Sequence, residues 1–263
     1  MANYTIIQNV TETHHKQFNN ECQNISINNF RENAFMKSIV QNCSAESGKA
    51  QYEYIINNHI DILKKMDYAL IKKIDQIGGN DTTLVNGLTP KVYSYMREAI
   101  LFYLFYLKPK NITEINNLLI IGGGYGMEFF ILHLVCAANG VKINKITGID
   151  MENVAKLQNT YFELIGMNTI FKSYSSEEYF LENPTDNQHD IVYSNCCLAE
   201  LTCEINHEYY KRFMLPNVGF YIVWGNWAAE VPEYYKPFVV NGKHHELIND
   251  GLVTSNTNAI IVK

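Results

Sequence analysis

Three glycines alternate in Gly122-Gly123-Gly124-Tyr125-Gly126, directly after the apolar run Leu118-Leu119-Ile120-Ile121. Glycine there lets the backbone turn tightly and approach a ligand with no Cβ in the way. A helix that follows offers free N–H groups and the positive end of its dipole. A second apolar run, 145–149, ends in Asp150. That is the distance at which a Rossmann-like unit places an acid against ribose hydroxyls. A carboxylate accepts two hydrogen bonds from a vicinal diol, so the residue type suits the task. An isolated aspartate here would more often cap the helix that starts near Asn153. Joined to the glycine loop, the ribose reading is preferred.

The glycine spacing narrows the ligand. A nicotinamide dinucleotide site wants GxGxxG, whose last glycine lets helix and strand pack closely. Counting from Gly122 puts Met127 at that place, and counting from Gly123 puts Tyr125 at the second glycine. A phosphate-cradling P-loop needs Gly-Lys-Ser/Thr, which does not follow. The loop fits S-adenosylmethionine better, because that cofactor has no pyrophosphate. An NAD(P)-dependent oxidoreductase is the rival, disfavoured by Met127.

The elements that position these residues are readable from apolar periodicity. Residues 51–77 predict one long amphipathic helix ending at Gly78-Gly79, and Thr89-Pro90 predicts the N-cap and first turn of a second, reaching about Leu107. From residue 117, short strands at 118–121, 145–149, 169–173, 190–194 and 218–224 alternate with helices at 127–139, 153–166, 177–182 and 198–214. Such alternation predicts an α/β fold with an open, mostly parallel Rossmann-like sheet and helices on both faces. The segments 252–254 and 259–262 predict a C-terminal antiparallel hairpin. Residues 1–116 are read as an N-terminal helical cap, and 117–263 as the nucleotide-binding core.

Leu118 to Gly126, Gly148-Ile-Asp-Met, Leu157-Gln-Asn-Thr-Tyr-Phe and Asp190-Ile-Val-Tyr-Ser-Asn-Cys-Cys-Leu-Ala-Glu-Leu together resemble class I methyltransferases. They are similar in particular to the sugar O-methyltransferases of bacterial surface-polysaccharide gene clusters. The resemblance covers about residues 87–226. It implies a Rossmann-like methyltransferase fold, S-adenosylmethionine as donor, S-adenosylhomocysteine as product, and a glycan or nucleotide-linked glycan precursor as acceptor. It assigns the donor site to Gly122, Gly123, Gly124, Tyr125, Gly126, Asp150 and Met151. Ser175 and Ser176 fall where adenine contacts are expected by analogy. One departure is plain: an acid often stands two residues before the first loop glycine, and here that residue is Ile120. A methyltransferase-fold protein that binds without catalysing is the rival of another class.

Methyl transfer is an in-line displacement, accelerated by alignment of acceptor, methyl and sulfur. A sugar hydroxyl is a weak nucleophile, so a base near its proton would help; an anionic, phosphate-type oxygen needs none. The loop 194–200 is expected beside the methyl group. Asn195 is a candidate to bond the methionine amine or the acceptor, and Glu200 a candidate base, with a plain first-turn helix acid as its ordinary role. His244 and His245 lie late in the chain, where acceptor loops are common, and compete with a reading as solvated turn residues. His207 and His133 are read as a bystander and a core histidine. Arg97 shares a helix face with Tyr93 and is a candidate for the donor's carboxylate, against a surface salt bridge. Asp150, Glu152 and Glu200 lack the close spacing of a magnesium site, and no metal is expected.

The composition closes off other classes. With 263 residues, 47% hydrophobic and 18% charged, the chain fills a core, which rules out global disorder. The net charge of −6 lacks the footprint of a nucleic-acid binder. No apolar run reaches a membrane span. Six cysteines without a CxxC pair, and no apolar leader at the start, predict reduced thiols and a cytoplasmic chain. Eighteen tyrosines against two tryptophans predict rings at the core margin or around a cleft, with Tyr93, Tyr125, Tyr234 and Tyr235 expected between cap and sheet. Trp224 and Trp227 cluster with Tyr234 and Tyr235 after the fifth strand, where stacking on a sugar and an ordinary core margin fit equally.

Overall fold

The computed structural model describes residues 13–79, 84–182, 189–214, 218–224, 230–240 and 259–263. Its elements run α1 (Thr13–Gln23), α2 (Ala45–Leu63), α3 (Tyr68–Asp75), α4 (Pro90–Phe102), β1 (Glu114–Ile115), β2 (Leu118–Ile121) and α5 (Met127–Ala138). Then come β3 (Lys142–Ile143), β4 (Ile146–Asp150), α6 (Glu152–Leu164), β5 (Phe171–Ser175), α7 (Ser176–Glu182) and β6 (Ile191–Asn195). The chain continues through α8 (Cys197–Glu200), α9 (Cys203–Phe213), β7 (Gly219–Trp224) and β8 (Ala259–Val262).

Six strands form one sheet in the order β5-β4-β2-β6-β7-β8, with β8 antiparallel to β7 and the rest parallel. The four residues of β2 are all buried, as a parallel strand covered on both faces requires. Leu118 and Ile120 face one core, while Leu119 and Ile121 face the other, which is the two-residue alternation of a pleated strand. The first core lies under α4, α5 and α6 and continues without a break into the N-terminal segment through Phe30, Met36, Ile55 and Ile71. The second lies under α7, α8 and α9 and holds Phe220, Tyr235 and Phe213. This strand order and its antiparallel last strand make a Rossmann-like methyltransferase fold with a helical N-terminus.

The chain runs outward from β2 through β4 to β5, then returns to place β6 on the other side of β2. The carboxyl ends of β2 and β6 therefore flank the switch in strand order, where such sheets leave a crevice.

Two expected helices are each divided. The stretch 51–77 breaks between α2 and α3, where Asp67 restarts the helix by accepting a hydrogen bond from Leu70 N at 2.9 Å. The stretch 198–214 breaks at Thr202, whose hydroxyl accepts from Ile205 N and starts α9. Both breaks are made by N-cap residues inside an otherwise helical pattern. The first arm of the expected hairpin, 252–254, lies outside the described residues; β8 pairs with β7, Ala259 opposite Trp224.

Candidate active site at the switch in strand order

The glycine loop owes its sequence to backbone geometry at two positions. Gly122 has φ +75°, and a Cβ there would stand 2.5 Å from the Cβ of Cys197. Gly124 has φ +58°, and its Cβ would meet Val40 of the N-terminal segment at 2.5 Å. The loop is thus pressed between the turn after β6 and the N-terminal segment, in a conformation L side chains rarely adopt. Gln158, fully buried on α6, donates one hydrogen bond to Gly124 O at 2.7 Å and another to Asp150 Oδ2 at 2.9 Å. That single amide sets the loop and the carboxylate relative to each other. Nothing in the sequence flagged Gln158 beyond its place in the Leu157-Gln-Asn-Thr segment.

Asp150 does not cap α6. Its Oδ1 accepts from the adjacent Met151 N at 2.8 Å, and the N-terminal turn of α6 is satisfied from elsewhere. Asn19 of α1 accepts from Asn153 N at 2.9 Å, and Asn153 Nδ2 donates to Asn19 O at 3.1 Å. Ser175 closes a capping box: its hydroxyl accepts from Glu178 N at 3.1 Å and Glu178 Oε2 accepts from Ser175 N at 2.9 Å. The Ser-x-x-Glu spacing that produces it was readable in the sequence.

After β6 the chain turns sharply. Cys196 takes φ +66°, uncommon for a residue with a side chain. Burial pushes the Cys196 and Cys197 thiols well up, so neither is a thiolate at neutral pH. Asn195 Nδ2 donates to Glu128 Oε1 at 2.7 Å, and the Tyr193 hydroxyl donates to the same oxygen at 3.1 Å. Glu128, the second residue of α5, is 5% exposed, and burial raises its carboxyl to about 7. Glu128 carries no signal of its own in the sequence, since an acid in a helix's first turn is ordinary.

Between these loops and the N-terminal segment lies a cavity of about 720 Å³. Its walls include Gly122, Gly123, Gly124, Asp150, Met151, Ser175, Ser176, Asn195 and Glu200, contributed by the ends of β2, β4, β5 and β6. Residues from α1, the 39–42 segment and α4 close it from above. Six carboxylate residues against two lysines line it, a bias that favours a ligand carrying positive charge. Among the described residues, no group of three or more His, Cys, Asp or Glu is placed to hold a metal ion.

Several expected site residues sit elsewhere. Tyr125 is 2% exposed and turned inward, packed on Phe30 and Tyr161, with its hydroxyl accepting from Arg31. A side chain that large at the loop is accommodated only inside the core. Gly126 does not line the cavity either; its φ of +109° starts α5, packed against Phe162. Arg97 donates to Gln51 Oε1 at 3.0 Å and lies over the Tyr54 ring, on the face of α4 that meets α2 rather than the cavity. The tyrosine ring around the cleft is not found. Tyr93 bonds Tyr68 and Val85, and Tyr234 and Tyr235 pack on α9; Tyr95 and Tyr209 line the cavity instead. Trp224 packs in the second core beside Tyr235. The tyrosine excess serves packing, through edge-to-face contacts such as Phe102 with Tyr193 and Tyr221. Glu200 closes the single turn α8, exposed at the cavity's edge, rather than opening a long helix. His207 stacks on Tyr234, and His133 meets Phe171 edge-on at 5.6 Å. His244, His245 and Trp227 lie outside the described residues.

No protein-family model and no curated protein matches the chain. Solved structures similar to it include an O-methyltransferase family protein from Burkholderia thailandensis. The identity is 10%, over 66% of this chain and 57% of that one, with a TM-score of 0.41. The citrinin polyketide synthase CMeT domain shares 15% identity over 66% of this chain and 53% of its own, with a TM-score of 0.44. Geranyl diphosphate C-methyltransferase from Streptomyces coelicolor A3(2), solved with Mg2+, geranyl diphosphate and S-adenosyl-L-homocysteine, shares 12% identity. The match covers 60% of this chain and 55% of that one, with a TM-score of 0.37. The matched part spans little more than half the length of each of these chains. The strand order described above, not these likenesses, carries the fold.

Proposed function

We propose that this chain is an S-adenosylmethionine-dependent O-methyltransferase whose acceptor is a saccharide or nucleotide-activated precursor in surface-polysaccharide or capsule biosynthesis. A phosphate-type substituent on that glycan is an acceptor of the same class. The carrying observation is the alignment of the glycine loop, Asp150 and Asn195 around one acid-biased cavity at the switch in strand order. An acid-biased wall suits a sulfonium donor, and Asp150, held by Met151 N and Gln158, presents its carboxylate beside the glycine loop as a ribose diol needs. The glycan part of the reading rests on the sequence resemblance.

The bound donor supplies an electrophilic methyl group with a neutral thioether as leaving group. The residues around it have three tasks. Gly122, Gly123 and Gly124 let the backbone come close, Asp150 takes the ribose, and Met151, Ser175 and Ser176 border the adenine end. Asn195 orients the group next to it, and Glu200 at the rim accepts the acceptor's proton. α1 and α4 cover the cavity and limit water. We read residues 1–116 as the cap, 117–263 as the donor-binding core, and the chain as cytoplasmic. No described helix is long and apolar enough to cross a membrane.

Thermal unfolding with S-adenosylmethionine, S-adenosylhomocysteine, NAD and NADP tests the reading. At a hundred times its dissociation constant a ligand adds about 2.7 kcal/mol, a shift of several degrees. Stabilisation by the two sulfur nucleotides and by neither dinucleotide is expected. A response to NAD or NADP alone would replace the donor assignment.

A further inference from the structure

The wall where α4 meets α5 carries two opposite charges that the protein leaves open to the cavity. On α5, both hydrogen bonds to Glu128 end on Oε1, from Asn195 and Tyr193. No donor among the described residues reaches Oε2, which keeps access to the cavity. On α4, Lys91 lies one turn before Tyr95, with its ammonium 5.3 Å from that ring's centroid. No carboxylate oxygen stands within 4.0 Å of the Lys91 Nζ among the described residues. Both side chains line the same cavity, and the lysine's charge acts on the Glu128 carboxyl.

We propose that Lys91 and Glu128, with Asn195, form a site for an α-amino-acid zwitterion, the ammonium on Glu128 Oε2 and the carboxylate on Lys91. The chemistry is complementary at each end. A half-buried lysine without an ion pair takes a carboxylate. A carboxyl fixed by two donors on one oxygen offers the other to an ammonium, a charge-assisted bond stronger than a neutral one. Asn195, through its bond to Glu128, positions that carboxyl. The remaining cavity acids lie towards β4, β5 and the rim and have other duties. Glu152 pairs with Lys156, and Glu178 closes the α7 capping box. The inference rests on the donor reading, since it assigns the amino-acid end of that ligand. It departs from the residues expected for that end: Ile120 is fully buried in the core, and Arg97 faces α2.

Binding of Glu128 to an ammonium requires its ionised form. In the free protein burial, with a smaller push from Glu98 of α4, holds that carboxyl at about 7 against Asn195, Lys91 and Tyr193. Affinity for a zwitterionic ligand therefore rises between pH 6 and pH 8, and a ligand without the amino acid shows no such rise.

Calorimetric titration with S-adenosylhomocysteine and 5′-methylthioadenosine, which lacks the amino-acid group, tests this directly. The full-length protein is expected to bind S-adenosylhomocysteine roughly tenfold or more tightly than methylthioadenosine. Glu128→Gln and Lys91→Met should each remove about tenfold of the first affinity while leaving the second within about twofold. Glu128→Gln should also flatten the pH dependence. Equal wild-type affinities, or variants that weaken both ligands alike, overturn the zwitterion site and leave the donor reading standing. Failure of both ligands to bind overturns the donor reading, and the site with it.

Discussion

Arg31 donates a hydrogen bond at 2.9 Å to the hydroxyl of Tyr125, joining the N-terminal segment to the glycine loop across 94 residues of sequence. The same guanidinium pairs with Asp75, reaches Thr89 Oγ1 at 3.2 Å and lies 5.4 Å from the Tyr125 ring centroid. Thr89 N in turn donates to Asp75 Oδ2 at 2.7 Å. Arg31 is 1% exposed, so its charge is tolerable only with these partners.

Arg31→Met should therefore lower the unfolding free energy by about 3–5 kcal/mol, because it leaves the Asp75 carboxylate buried without its counter-charge. Tyr125→Phe, which removes one hydroxyl and keeps the ring, should cost only about 1–2 kcal/mol. Urea unfolding of both variants measures this. A loss below about 1 kcal/mol for Arg31→Met would mean water replaces the guanidinium.

Gly122 and Gly140 share almost the same backbone angle, φ +75° and +76°, but only Gly122 is crowded. A Cβ at Gly140 meets nothing within 4 Å, whereas at Gly122 it meets Cys197. Gly140→Ala should cost the conformational strain alone, about 1 kcal/mol, and Gly122→Ala about 1–3 kcal/mol more through overpacking. Only Gly122→Ala should weaken S-adenosylhomocysteine binding. Chemical denaturation and calorimetry on the pair separate backbone strain from loss of the site.

Asp150→Ala is expected to abolish donor binding. The change removes the acceptor of both Met151 N and Gln158 Nε2, and with it the carboxylate proposed to take the ribose diol. Titration with S-adenosylhomocysteine at a temperature where the variant is folded provides the measurement. An unchanged affinity would leave Asp150 the structural role of holding Met151 N and Gln158.

Burial lifts the Glu128 carboxyl from 4.5 to about 7 in the folded protein. Because the folded state then holds a proton that the unfolded chain has released, this group's contribution to stability falls as pH rises from about 4.5 to about 7. Glu128→Gln removes that dependence. The variant should match the wild type near pH 4.5 and exceed it by up to about 3 kcal/mol at pH 8, read from urea midpoints across pH. A wild type as stable as the variant at pH 8 would place the carboxyl's ionisation near its ordinary value.

Much of the framework was legible because parallel strands advertise themselves. Leu118-Leu119-Ile120-Ile121 is apolar throughout since both faces of β2 are covered, and β4, β5, β6 and β7 fall within two residues of their expected bounds. The positions of Gly122, Gly124, Asp150 and Asn195 at strand ends followed from that alternation. What remained hidden depends on tertiary partners. Arg97 and Lys91 both occupy α4, and only the packing of α2 against that helix decides which cation faces the cavity. Tyr125 lies in the most informative loop of the sequence, yet a buried arginine 94 residues away turns its ring inward. Glu128 looks like any acid in a first helical turn until Tyr193 and Asn195 converge on it.

One consequence concerns α1. The hydrogen bonds that finish the start of α6 come from Asn19, so the helix that roofs the cavity also completes its floor. Shortening the chain to open the site would leave Asn153 N without its acceptor and loosen the turn directly after Asp150. Access and integrity are thus mechanically tied at this end of the molecule: a route inward made by lifting α1 is opened at the expense of the helix beneath it.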